Sequence, residues 1–161
     1  MRVYIKNKLF SLHGNSTVKN DAGQDVFTVK GKLISPSRKK RICDLNGNVL
    51  YSVRTKLCKL PFTAYKAFVM DENKKKVARV KKPFFTVKKY LVEGYKDEIS
   101  INGEFLSLHS QIVRNGVVIG TITRQVTVVA DAFCLEGAPE DMPFLIALVI
   151  AIDNIVDRMR S

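Results

Sequence analysis

The sequence predicts an all-β fold with one central helix: a closed antiparallel barrel whose interior is filled by a hydrophobic helix near the C-terminus. Three observations carry this reading. Met142 to Ile152 is a run of 11 residues without a polar or charged side chain. A turn followed by a strand-like segment recurs four times earlier in the chain. The apolar segments outside the run are short, and turn residues separate them at the roughly 8–12-residue spacing of barrels and sandwiches.

The apolar run reads as a helix from about 140 to 159. Asp141 stands at its N-cap, and Pro143 falls in the first turn, where a missing N–H costs nothing. Glu140 and Asp141 put negative charge at the positive end of the helix dipole. A helix apolar on every side is buried, in protein or in lipid. A membrane span needs about 20 apolar residues, whereas runs of about 10–14 belong to core helices. The core helix is therefore the expectation. As a helix, Pro139 to Met159 would extend ~30 Å, enough to thread a barrel.

The segments before it, about 2–136, read as ten to twelve strands. Arg2 to Lys6 alternates charged and apolar residues, and Leu9 to Ser16 reads as a bend or short strand. The repeat then begins. Asn20-Asp21-Ala22-Gly23 precedes Val26-Phe27-Thr28-Val29-Lys30, and Asp44-Leu45-Asn46-Gly47 precedes Leu50-Tyr51-Ser52-Val53-Arg54. Asp71-Glu72-Asn73-Lys74 precedes Val77-Ala78-Arg79-Val80-Lys81, and Asn115-Gly116 precedes Ile119-Gly120-Thr121-Ile122-Thr123. Asn-Gly supplies the positive φ angles of a tight hairpin turn. Lys74 stands where the first two copies have glycine, so the third turn is expected to be of another type. Asn102-Gly103 joins Ile99-Ser100-Ile101 to Phe105-Leu106-Ser107-Leu108, and Tyr90-Leu91-Val92 and Thr127-Val128-Val129 add strand-like runs. Pro83 is expected to end the strand that carries the basic run. Nothing marks a linker, so one domain spanning 1–161 is expected. A barrel removes sheet edges but leaves an interior to fill, and the all-apolar helix is the filler.

The 161 residues carry a net charge of +12, which favours anionic partners and says nothing about fold. The charge is lopsided. Residues 30–96 hold 19 Lys or Arg against four acids, and the rest holds 8 against 11. The three cysteines, Cys43, Cys58 and Cys134, are widely spaced and odd in number, and the first residues contain no continuous apolar segment of a secretory signal. A reducing, cytoplasmic setting is the expectation.

A series of hairpins of the general form D-x-x-G-x-x-φ-x-x-φ-x-[KR], a final strand and a C-terminal apolar helix resemble the LURP-one-related family. That family belongs to the tubby C-terminal-like group, which also takes in phospholipid scramblases. The resemblance rests on Asp44 to Lys56, Val69 to Lys82, Val128-Val129-Ala130-Asp131-Ala132-Phe133, and Glu140 to Val156. It covers essentially the whole chain, which looks like a small bacterial-type member. The resemblance implies a barrel of about twelve strands around a central hydrophobic helix. Tubby domains bind phosphoinositides and scramblases act on phospholipids, so it also implies lipid headgroups as candidate ligands. No acidic ligand run matches the calcium-binding segment of scramblases, and the lipid-contacting residues of tubby domains have no counterparts that can be matched position by position.

No catalytic signature is present: no G-x-S-x-G, no H-E-x-x-H, no phosphate-binding loop, and His13 and His109 without ligand spacing. Neither a catalytic site, a metal nor a cofactor is expected. The candidate ligand-binding residues are the two dense basic runs: Arg38, Lys39, Lys40 and Arg41, and Lys74, Lys75, Lys76, Arg79, Lys81 and Lys82. Alternation along residues 76–82 sends Lys76, Ala78, Val80 and Lys82 to one face and Val77, Arg79 and Lys81 to the other, which reads as an exposed edge or strand end, where lysine also blocks aggregation. The expected function is a non-enzymatic module binding an anionic ligand such as phospholipid or phosphoinositide headgroups, peripheral at a membrane. The alternatives are a protein-interaction domain without a small ligand and scramblase-like lipid handling. Nucleic acid ranks below lipid, mostly because of what the resemblance implies; Trp is absent, and Tyr and Phe stand mostly at strand positions that read as core.

Overall fold

The computed structural model describes residues 1–6, 16–31, 39–56, 65–82, 90–103, 109–126 and 131–160. Twelve strands precede one helix: β1 (Arg2–Lys6), β2 (Ser16–Asn20), β3 (Asp25–Gly31), β4 (Lys40–Cys43), β5 (Val49–Lys56), β6 (Tyr65–Asp71), β7 (Lys76–Lys82), β8 (Leu91–Gly94), β9 (Ile99–Asn102), β10 (Ser110–Arg114), β11 (Val117–Val126), β12 (Asp131–Gly137) and α1 (Met142–Arg160). The expected strands at 9–16, 105–108 and 127–130 lie outside the described residues, Ser16 apart.

The strands form one antiparallel sheet in the order β8-β7-β6-β5-β4-β3-β2-β1-β12-β11-β10-β9. Every strand pairs with a neighbour in the chain, and among the described residues the β1–β12 ladder alone joins the two halves of the sheet. β8 and β9 lie side by side without a shared ladder, so the barrel is nearly closed.

The hairpins form because their turn residues satisfy the backbone locally. In the first three, the residue opening the turn accepts an N–H from the position three residues on: Gly23 to Asn20 at 3.0 Å, Gly47 to Asp44 at 3.1 Å, Lys74 to Asp71 at 3.0 Å. The same opening residue uses a side-chain oxygen to hold the next N–H, of Gln24, Asn48 and Lys75 respectively. Gly23, Gly47 and Lys74 all have positive φ, at 74°, 89° and 62°. The third turn is therefore of the same type as the first two, contrary to the sequence expectation. The Asp71 side chain and the strand pairing hold Lys74 in the left-handed region that an L-residue ordinarily avoids. The fourth turn is the one that differs, with two positive-φ residues, Asn115 (51°) and Gly116 (80°), forming the tight two-residue hairpin. Each of the four ladders shifts register beside its turn, at Val18/Lys19, Ile42/Cys43, Val69/Met70 and Ile112/Val113. An extra residue there bends the strand and increases its twist, which a barrel wall needs.

The inward positions carry the wall of the core, including Val3, Ile5, Val29, Ile42, Val53, Val69, Val80, Ile112 and Leu135, all buried. Ala67 and Ala78 keep the wall low on β6 and β7, where α1 packs. From Met142 to Ile152 every side chain of α1 is buried. The apolar run is thus the filler of the barrel, the first part of a 19-residue helix that is about 29 Å long at 1.5 Å per residue. Leu145, Leu148, Val149 and Ile152 are at most 1% exposed, which weighs against a helix that leaves for a bilayer. Among the described residues no helix is long and apolar enough to cross a membrane.

The N-terminus of α1 is anchored as well as capped. The Asp141 carbonyl accepts the Leu145 N–H at 3.0 Å, the first intrahelical bond. Its carboxylate accepts from Arg114 Nη1 at 2.7 Å, and the same guanidinium lies 4.7 Å from the centroid of the Phe144 ring. Asp141 therefore ties the helix to β10.

Candidate functional site: the outer face of strands β3 to β7

Strand register decides which of the basic residues stand together. Three rows cross the outer face of the sheet. Lys56 is directly opposite Lys66, and Lys66 opposite Lys81, with Leu91 of β8 beyond. The next row runs Arg54, Phe68, Arg79, Glu93. A third runs Lys30, Arg41, Ser52, Met70, Lys76. The three rows gather eight cations and one carboxylate. Opposed residues have Cβ atoms about 4.5–5.5 Å apart, so this is a continuous basic surface and not a set of scattered lysines.

Most of the surface is unneutralised. Arg41, Arg54 and Lys56 are exposed, Lys66 is half-buried, and none of the four has an ion-pair partner among the described residues. Lys76 Nζ lies 4.8 Å from the centroid of the Phe68 ring, which keeps its charge over the face. The exception is the β8 border. Arg79 directs Nε to Glu93 Oε2 at 3.0 Å and Nη2 to the same oxygen, while Lys81 Nζ donates to Oε1 at 2.6 Å. The hydrogen bond from Lys81, then that from Arg79, hold the Glu93 carboxyl below its ordinary range.

The ten residues singled out from sequence separate on this geometry. Arg41, Lys76, Arg79 and Lys81 belong to the outer rows. Lys74 and Lys75 lie on the exposed turn at the end of β6. Lys40 faces inward, 4.0 Å from Asp153 of α1 and with its side chain 15% exposed, so it serves the interior. Lys82 shares the inward parity of Ala78 and Val80 and is buried. Lys39 is half-buried just before β4, and Arg38 lies outside the described residues. The basic strand is not an edge: β7 pairs with β6 on one side and β8 on the other. A charged mid-sheet strand is stable here because three of its four cations, Lys76, Arg79 and Lys81, face out and Glu93 offsets two of them.

Sequence reasoning passed over Lys30, Arg54, Lys56 and Lys66, which occur singly. The signal that could have found them is period-two alternation carried across a meander, since the returning strands of the first three hairpins carry an outward Lys or Arg near their ends: Lys30, Arg54 and Lys56, and Lys81.

The family model for LURP-one-related proteins matches residues 1–153, nearly the whole chain. The chain belongs to the LURP-one-related family. No curated protein and no solved structure shows significant similarity to it. The LURP-one-related assignment and the observed barrel agree: twelve strands around a hydrophobic helix is the tubby-like architecture that the resemblance implied.

Proposed function

We propose that this LURP-one-related barrel is a non-enzymatic module that docks on anionic phospholipid headgroups through the outer face of β3 to β7. The observation that supports it is the row Lys56–Lys66–Lys81. Like charges directly opposite one another on a sheet are destabilising, and of the three only Lys81 has an offsetting carboxylate among the described residues, so the Lys56–Lys66 pair needs a reason outside the fold. An anionic surface supplies one, because each basic residue near such a surface contributes about 1 kcal/mol within a Debye length. On this reading the protein is cytoplasmic and peripheral at the membrane.

Vesicle co-sedimentation tests the proposal, with phosphatidylcholine alone against phosphatidylcholine carrying anionic lipid, at low and physiological salt. Arg54, Lys56 and Lys66 are neutralised together by R54Q, K56Q and K66Q, which break no ion pair among the described residues. Binding that requires anionic lipid, survives physiological salt and falls by about a hundredfold in the triple variant is expected, on the order of 1 kcal/mol per cation. Wild-type binding that disappears at physiological salt, or is unchanged in the triple variant, would overturn the proposal and leave a protein-interaction domain as the better reading.

A further inference from the structure

The Arg79–Glu93–Lys81 cluster has the form of an occupied anion site. Two cations from one strand hold both oxygens of a single carboxylate, one oxygen from Arg79 and the other from Lys81. The fork of an arginine beside the point charge of a lysine is the arrangement that receives an oxyanion group. The carboxylate comes from the neighbouring strand β8, directly opposite Arg79, and remains 38% exposed, so it can swing away into solvent. Lys66, opposite Lys81 on the other side, adds a third cation without a carboxylate of its own.

We propose that Glu93 is a built-in stand-in for the ligand, and that it sets a charge threshold which a phosphomonoester passes and a phosphodiester does not. The proposal rests on the reading of this face as a headgroup-docking surface and adds the class of headgroup. Displacing Glu93 exchanges one negative charge for another when the incoming group is a monoanionic phosphodiester, and little is gained. A phosphomonoester carries about −1.5 to −2 at pH 7 and three acceptor oxygens. It replaces the carboxylate with net attraction and has an oxygen left for Lys66. The depressed proton affinity of Glu93 keeps the stand-in charged throughout the neutral range.

The experiment compares wild type with E93Q on three vesicle compositions: phosphatidylcholine alone, with phosphatidylserine, and with phosphatidic acid, whose headgroup is a monoester. E98Q, at an exposed site outside the three rows, is the control for loss of one negative charge. Wild type should prefer phosphatidic acid over phosphatidylserine at matched surface charge. E93Q should gain about tenfold or more on phosphatidylserine, from two cations released at about fivefold each, and its preference for the monoester should collapse. E98Q should move both lipids by the same small factor and keep the preference. An E93Q protein that keeps the wild-type preference overturns the threshold while leaving headgroup docking intact. No binding of either protein to any anionic vesicle overturns docking itself. Release of bound protein by inorganic phosphate would assign the clip to phosphate as such, and retention would assign it to the lipid headgroup.

Discussion

Gly120 and Gly137 stand directly opposite each other on β11 and β12, and together they leave the space that Leu145 of α1 fills. A methyl group on Gly120 would lie 2.9 Å from the Glu136 carbonyl oxygen and closer still to Leu145 Cδ1. One on Gly137 would lie 2.7 Å from the Ile119 carbonyl and 2.9 Å from Leu145 Cδ1. The wall is thinned to bare backbone where the helix passes. G120A should therefore destabilise the protein by about 1–3 kcal/mol, the usual range for overpacking. Leu145→Ala alone should cost about 2–5 kcal/mol through the cavity it leaves. The double variant should be more stable than the sum of the two, by about 1 kcal/mol. Urea unfolding of the three variants checks this; strict additivity would mean that the glycine pair and Leu145 do not share a space.

Leu148 is fully buried in the middle of the same helix. Leu148→Asp should abolish folding, since an unpaired carboxylate cannot be accommodated in that interior. A variant with wild-type melting would contradict the threaded barrel.

Lys74 adopts φ 62° in a turn whose two counterparts use glycine. The left-handed region costs an L-residue about 1–2 kcal/mol, and glycine returns part of that through its larger unfolded-state entropy. K74G should stabilise by about 0.5–1 kcal/mol, raising Tm by about 1–4 °C for a chain of this size. A lower Tm would show that the Lys74 side chain contributes more than its backbone strain costs.

Asp25, Asp44 and Glu93 all have carboxyl groups held below their ordinary values. The causes are the hydrogen bond from Lys19, the hydrogen bonds from Asn48, and the pair Lys81 and Arg79, respectively. A carboxyl whose folded-state affinity for protons is depressed contributes stability above its unfolded pKa and loses it as pH falls through the folded one. Stability should therefore fall on acidification, beginning near the ordinary values of 3.8 and 4.5 and continuing below them. D44N should flatten that fall while keeping its hairpin, because Asn20 performs the same turn role with an amide oxygen. Melting curves from neutral to strongly acidic pH make the comparison.

Lys66 faces Lys56 and Lys81 at once. K66Q should stabilise the fold by about 0.2–1 kcal/mol of relieved repulsion, seen as a slightly higher Tm, and lower affinity for anionic vesicles. Added salt should stabilise wild type more than K66Q, since screening and neutralisation act on the same repulsion. Equal salt responses would show that the row carries no repulsive cost.

The barrel and its filler were legible in the sequence because both are periodic signals. Each of the four turns is followed three positions later by the same strand pattern, and Met142 to Ile152 has no polar face to present to water. What needed coordinates was pairing. Arg38-Lys39-Lys40-Arg41 reads as one patch, yet Lys40 turns inward to Asp153 while Arg41 faces out, because neighbours on a strand point to opposite sides. The β7 run reads as an edge until Leu91–Gly94 is seen to pair with it. Lys56, Lys66 and Lys81 are far apart in the chain and become neighbours only through the register of two hairpins. Lys74 was misread because the turn was inferred from its glycine, whereas Asp71 at its first position sets it.

The order of the elements has a consequence for synthesis. All twelve strands precede α1 in the chain, so the wall is made before the residues that fill it. At about 5–20 residues per second, on the order of ten seconds separate the first hairpin from Met142 on the ribosome. During that interval the inner positions, Val3 to Leu135, have no partner to bury against. The nascent chain is held by its local hairpins alone, and its solubility rests on the positive charge of its middle. A message truncated before codon 142 would yield a shell without a core, a substrate for quality control and not a weaker version of the same protein.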